Sequence, residues 1–189
     1  MSLVDLADGR YTDKNTVHSY LPIYQTLFES KKESAKNVLE VGIHCGGSIK
    51  LWSDFFPNAT VYGLDVIDII KSDIKNRTNV KLYTWADAYN PDFFNATFSG
   101  MKFDMLLDDG LHTLESMKQF ITLYSQVMTD DGILVIEDIQ DWNWIAELIN
   151  TVPDNLKQYI KTYDLRANKG RYDDIVFTID KSSDKSKTN

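Results

Sequence analysis

Four carboxylates and one histidine stand in two short runs in the second half of the sequence, Leu107-Asp108-Asp109-Gly110-Leu111-His112 and Ile136-Glu137-Asp138. Each run ends an apolar stretch that reads as a buried strand, so neighbouring strands would bring the acids into one small volume. Left unbalanced, such charges repel and raise one another's pKa. A hard divalent ion such as Mg²⁺ relieves this, because it takes oxygen ligands in octahedral geometry and leaves positions open for substrate oxygens. Asp109, Glu137 and Asp138 are the expected metal ligands. Asp108 is expected to face a cofactor or cap the turn, since adjacent strand residues point opposite ways. His112 titrates near the pH at which a general base works best, and it is the expected catalytic base. The plainer readings are solvated acids at loop starts and a histidine that caps a helix; the acids around His112 weigh against the second.

A second constellation lies upstream, in Glu40-Val41-Gly42-Ile43-His44-Cys45-Gly46-Gly47-Ser48. A strand that ends in a glycine turn and leads into a helix lets a ligand approach backbone amides. A dinucleotide site would have a glycine where His44 stands, to clear room for the pyrophosphate. S-adenosylmethionine has no pyrophosphate, so His44 favours it over NAD, with its amino-acid end over the turn. Asp65 ends the next strand about 20 residues on, where a carboxylate can accept ribose hydroxyls. Asp87, just past the third strand, is placed for the adenine amino group. The bland alternative is glycines that only tighten a strand-helix junction.

The elements that must position these groups follow from hydrophobic periodicity. Apolar runs at 37–42, 60–66, 80–85, 103–108 and 132–138 read as buried parallel strands. Helices are expected at about 47–56, 68–76, 91–97, 113–129 and 141–150, with Thr113 capping the fourth. A helix over about 15–32 precedes them, with a bend or late start at Pro22. Strands at 158–165 and 174–179, joined by the turn Ala167-Asn168-Lys169-Gly170, must pair antiparallel. The expected fold is α/β: a doubly wound, Rossmann-like seven-stranded sheet of order 3-2-1-4-5-7-6, its last hairpin antiparallel, with helices on both faces. Residues 1–180 form one domain, 1–36 being a helical segment that contributes to the site. The Ser/Lys-rich 181–189 reads as a disordered tail.

Taken together, Glu40-x-Gly42-x-x-x-Gly46, then Asp65 and Asp87 at successive strand ends, resembles the class I S-adenosylmethionine-dependent methyltransferases. Gly42-x-x-Cys45-Gly46-x-Ser48 is also similar to the catechol-type O-methyltransferases, which implies that Ser48 binds the cofactor carboxylate. The pattern Asp109-Gly110-Leu111-His112 with Glu137-Asp138 resembles the metal-dependent macrocin and mycinamicin sugar O-methyltransferases, as do Thr12-Asp13-Lys14, His18-Ser19-Tyr20 and Tyr24. In that family the aspartate and the Glu-Asp pair hold magnesium, and the histidine takes a proton from a sugar hydroxyl. The resemblance implies cofactor contacts at Glu40, Gly42, Gly46, Ser48, Asp65, Asp87 and Asp108. It departs from the family at Leu111, where a small polar residue is expected, and the larger members carry an added N-terminal domain for which this sequence has no room.

The implied function is Mg²⁺-dependent O-methylation of a sugar or glycan hydroxyl. A catechol-like acceptor, or a non-catalytic or hydroxylase-like relative of the fold, are the alternatives. Trp142, Trp144 and Tyr172 are candidates to wall the acceptor. With 189 residues and a formal charge of −8, the composition disfavours a nucleic-acid surface. No apolar run approaches the ~20 residues that cross a bilayer. The single cysteine, Cys45, and the absence of a signal-like opening point to a reducing, cytoplasmic compartment. A small molecule or glycan is the expected partner, and a homo-oligomer is compatible with it.

Overall fold

The computed structural model describes residues 1–183. In chain order, α1 (Leu3–Leu6) and α2 (Leu21–Phe28) precede β1 (Asn37–Val41), α3 (Gly47–Phe55), β2 (Thr60–Asp65), α4 (Ser72–Lys75) and β3 (Val80–Thr84). Then come α5 (Pro91–Thr97), β4 (Phe103–Asp108), α6 (Leu114–Tyr124), β5 (Met128–Ile136), α7 (Trp144–Thr151), β6 (Ile160–Asp164), α8 (Arg166–Lys169) and β7 (Ile175–Asp180). The strands form one seven-stranded sheet in the order β3-β2-β1-β4-β5-β7-β6, as the sequence led us to expect. Pairing is parallel from β3 to β5 and antiparallel where β7 meets β5 and β6. The chain runs outward from β1 to β3, then returns to place β4 on the other side of β1. That reversal is where open α/β sheets hold ligands, beyond the carboxyl ends of the strands. Register keeps those ends level: Val41 pairs with Leu64 and Asp108, and Asp108 with Ile136.

Alternation along the strands divides the core into two layers. Leu39, Val41, Leu106, Leu134 and Ile136 face α5 and α6, where Phe94, Phe98, Phe120 and Tyr124 are buried. Val38, Met105, Leu107, Ile133 and Val135 face the other way, toward Tyr24, Phe28, Trp52 and Phe55 of α2 and α3. Each such side chain contributes roughly 1.5–3 kcal/mol by burial, so both faces anchor the strand ends firmly.

Several boundaries differ from the expected ones for local reasons. The helix expected over 15–32 starts at Leu21, with Pro22 in its first turn, where proline lacks no needed donor. Ahead of it the Asp13 carbonyl accepts from Thr16, Val17 and His18 in a turn. The helix expected at 68–76 is the single turn of α4. The helix expected at 113–129 ends at Tyr124, and Met128 already opens β5. The turn at 167–170 is the short α8, closed by Gly170 at φ +71°. Lys181–Ser183, expected in the tail, form a 3-10 turn whose Lys181 Nζ donates to the Thr129 carbonyl at 2.7 Å; 184–189 lie outside the described residues. No helix among the described residues is long and apolar enough to cross a membrane.

Gly42 shows how tightly the turn after β1 is drawn. Its φ is +79°, and a Cβ there would run into the Asp109 carbonyl and the Cα of Gly110. Gly42→Ala should therefore lower the unfolding free energy by about 2 kcal/mol or more, read by urea denaturation. An unchanged midpoint would mean that the turn and the β4 loop are not packed this closely.

Candidate active site

A cavity of about 550 Å³ opens over the carboxyl ends of β1, β2 and β4, and residues 9–14 cross one side of it. Of the site residues expected from sequence, Gly42, Ser48, Asp65, Asp109, His112 and Asp138 line it. Backbone bonds set their positions: Asp109 N donates to the Val41 carbonyl at 2.9 Å, and Glu137 N to the Asp108 carbonyl at 3.2 Å. The non-glycine residues with left-handed backbone among those described are His44, Trp85, His112 and Asp138, all just past strand ends. Each such conformation costs on the order of 1–3 kcal/mol and persists only where the surroundings enforce it.

The acidic cluster is built around Asp109. Its Oδ1 is 3.1 Å from His112 Nε2, which is 3.7 Å from Asp138 Oδ2. Ligand atoms of Asp109, His112 and Asp138 all lie within 4.8 Å of one another, the spacing a single cation can bridge. The His112 loop is fixed by Thr113, whose hydroxyl accepts from Ser116 N at 3.1 Å while its own N–H donates to Ser116 Oγ at 3.2 Å. This reciprocal cap starts α6 as the sequence suggested.

Glu137 stands behind that triad. Both its oxygens are taken, by the Lys14 ammonium and the Tyr24 hydroxyl, and burial followed by the Asp109 charge pushes its pKa well above the carboxylate range. Asp109 titrates the other way. Burial opposes its charge, but the Lys14 ammonium, with help from His112, holds it down at about 2. Asp138 is pushed upward by burial and by Asp109, while the Tyr20 hydroxyl donates to it. Asp108 points away from this group. It accepts from Tyr89 Oη at 2.6 Å, and burial pushes its pKa up to about 7.

On the cofactor side the structure separates the expected residues. Ser48 lies in the first turn of α3, facing the cavity. Asp65 Oδ2 accepts from the Ile43 and His44 amides at 3.0 and 2.7 Å, so it closes the glycine turn as well as lining the pocket. Glu40 is buried beneath the turn, with Oε2 accepting from Trp52 Nε1 at 3.0 Å. Gly46, at φ +88°, opens α3 and packs toward Ile70 and Ile74. Asp87 is exposed and spends an oxygen on Tyr89 N at 2.9 Å, while its neighbours Ala86, Ala88 and Tyr89 line the cavity.

The sequence implied that the N-terminal segment contributes to the site, but not which of its side chains brace the acids. Lys14 is 1% exposed and reaches Glu40 at 3.2 Å and Asp109 at 2.8 Å besides Glu137. His18 Nδ1 lies 2.6 Å from Asp174 and 3.4 Å from Asp138, and its ring stacks on Tyr20 at 4.9 Å. Tyr20, at the N-cap of α2, and Tyr24, within it, both extend their hydroxyls to the acids that follow β5. The available signal was the likeness of Lys14, His18, Tyr20 and Tyr24 to the sugar O-methyltransferase segment ahead of the first strand.

Comparison with known proteins places this geometry in context. A methyltransferase-domain family model matches residues 32–183. Among curated relatives, the 8-demethyl-8-alpha-L-rhamnosyl tetracenomycin-C 2'-O-methyltransferase of Streptomyces olivaceus is 27% identical over 160 residues, covering 76% of this chain and 39% of the relative. The mycinamicin VI 2''-O-methyltransferase of Micromonospora griseorubida is 28% identical over 152 residues, covering 75% of this chain and 37% of the relative. The chain thus spans under two fifths of the length of these relatives. A methyltransferase from the mycinamycin biosynthetic pathway, solved with Mg and SAH, superposes with a TM-score of 0.75 at 21% identity, covering 100% of this chain and 57% of that one. With the family model spanning the whole sheet, the glycine turn and the acidic strand ends, the chain belongs to the methyltransferase-domain family.

Proposed function

We propose that this chain methylates a hydroxyl of a sugar or glycan, using S-adenosylmethionine and a divalent cation, Mg²⁺. The observation that carries the reading is the convergence of Asp109, His112 and Asp138 on one edge of the cavity. The names of the relatives support it, since each is a glycoside O-methyltransferase, and a related structure was solved with Mg, SAH and mycinamycin VI. Hard carboxylate oxygens suit Mg²⁺. Asp109 and Asp138 would hold it, with Glu137 as the third ligand. Gly42, Ser48 and Asp65 would receive the cofactor, whose chemistry is an electrophilic methyl on a sulfonium. Residues 1–180 act as one methyltransferase domain, and the segment 1–36 contributes Lys14, Tyr20 and Tyr24 to the site.

In this reading His112 takes the hydroxyl proton as the oxygen–methyl bond forms and the sulfur–methyl bond breaks. The acceptor would lie on the exposed side chains beside the acids. Leu111, Trp142 and Tyr172 are 61, 40 and 64% exposed. Tyr172 Oη donates to Gln140 Oε1 at 2.8 Å, and Gln140 Nε2 donates to the Asp138 carbonyl at 2.8 Å, which ties Tyr172 to the acidic loop. Trp144 instead packs against the core. The charge of −8 disfavours a nucleic-acid acceptor.

Two experiments separate the readings. Titration calorimetry with S-adenosylmethionine should give binding heat, whereas a module that has lost the cofactor site would give none. Incubation with the cofactor, Mg²⁺ and a panel of glycosides and catechols should yield O-methyl glycosides by mass spectrometry; methylated catechols alone would replace the sugar acceptor with an aryl diol.

The histidine also gives a titration that needs no substrate. Burial pulls the His112 pKa down, but the Asp109 carboxylate, then Asp138 and Asp108, raise it by more, leaving it above 6.5. A base with a raised pKa is more protonated at neutral pH and gains activity as pH rises through that value. In the metal-free chain its ring carbon shifts, followed by NMR, should titrate above 6.5, and Mg²⁺ should lower the midpoint by offsetting the acids. A midpoint that Mg²⁺ leaves unmoved would place the cation elsewhere.

A further inference from the structure

The Lys14 ammonium is the one buried cation in contact with the acidic cluster among the described residues. It joins three strand ends: Glu40 of β1, Asp109 after β4 and Glu137 after β5. Two of those acids belong to the expected metal set, so the ammonium and a divalent ion claim the same oxygens. The third offers a place to withdraw to. Glu40 is fully buried, and its Oε1 accepts no hydrogen bond among the described residues, with the ammonium 3.2 Å away. That oxygen is held by the ion pair alone, and turning the ammonium fully toward it would complete the hydrogen bond that a buried carboxylate favours.

We propose that Lys14 is a built-in counter-cation of the metal site, exchanged for the divalent ion on loading. Without metal, its ammonium holds Asp109 and Glu137 together and offsets their repulsion. When the ion enters, Lys14 gives up those oxygens and closes on Glu40 Oε1, so no strand end is left with an unbalanced charge. The ammonium keeps its protons throughout the exchange. Because Glu40 lies directly under the cofactor turn and residues 9–14 cross the cavity, metal loading would be felt on the cofactor side.

This inference rests on the proposed metal reading, and calorimetric titration with MgCl₂ alone, without cofactor, tells the two apart. Lys14→Met keeps the length of the side chain and removes the competing charge. It should bind Mg²⁺ at least ~10-fold more tightly than the unmodified chain, while Lys14→Arg should not. Glu40→Gln removes the place of retreat and should weaken Mg²⁺ binding several-fold in the unmodified background, and hardly at all beside Lys14→Met. Mg²⁺ binding by the unmodified chain that Lys14→Met leaves equal or weaker would overturn the exchange and spare the metal site. Binding by neither chain would overturn both, and binding by Lys14→Met alone would support the exchange strongly. If Lys14→Met fails to fold, NMR of the unmodified chain decides. Scalar couplings from Lys14 Nζ to the Asp109 and Glu137 carboxylate carbons should vanish at Mg²⁺ saturation while one to Glu40 appears; couplings that persist to Asp109 and Glu137 would overturn the proposal.

Discussion

His112→Ala is expected to lower kcat for methyl transfer by about 10²–10⁴-fold, the usual contribution of a positioned general base, while S-adenosylmethionine binds within about twofold of its original affinity. The ring is half-exposed at the cavity edge with Nε2 3.1 Å from Asp109, so it is reachable by an acceptor and oriented by a carboxylate. The substitution removes no buried anchor, and Thr113 still caps α6 through Ser116. His112→Gln keeps a polar group in place without a usable proton acceptor near neutral pH, and it should be nearly as slow. Stopped assays with saturating cofactor would separate kcat from cofactor affinity. A variant lacking His112 that retained more than a tenth of the rate would move the base elsewhere or make deprotonation unimportant.

Asp109→Asn should be more severe, because it strikes three functions at once. The amide is nearly isosteric but carries no charge, so the cation loses a ligand, His112 loses the carboxylate that raises its pKa, and Lys14 loses a partner at 2.8 Å. Loss of a residue that merely supports a metal ligand costs about 10–100-fold in affinity, and loss of a ligand should cost at least that. We expect Mg²⁺ binding weakened on the order of 100-fold or more, with activity falling in parallel and not rescued by added Mg²⁺ up to millimolar levels. Since Asp109 already sits low at about 2, protonation does not offer the unmodified protein the same loss at neutral pH. Undiminished Mg²⁺ affinity in this variant would remove Asp109 from the metal site.

The sheet was readable because buried parallel strands are continuous apolar runs, and a hairpin with a short link can pair only antiparallel. The acids of β4 and β5 were readable because they end such runs, and the register brings those ends level. What the sequence hid is long-range. Lys14 meets Glu137 across 123 positions, and an isolated lysine in a polar stretch reads as solvated. Tyr20 and Tyr24 look like core filler until their hydroxyls are seen on Asp138 and Glu137. Asp87 and Asp65 were located well along the chain, but local backbone amides compete for their oxygens, as short acidic side chains at turns commonly do. The α4 region misled because the exposed Ile67 and Ile69 beside buried Ile70 and Ile74 mimic a longer helical stripe.

Methyl transfer is expected to depend on a cation held by the acidic cluster. The most direct measurement follows labelled methyl from S-adenosylmethionine into a glycoside acceptor, first in excess EDTA and then after MgCl₂ is restored. Transfer should fall to background in EDTA and return with Mg²⁺ in the unmodified protein, and it should fail to return in Asp109→Asn. Full transfer in EDTA would contradict that dependence.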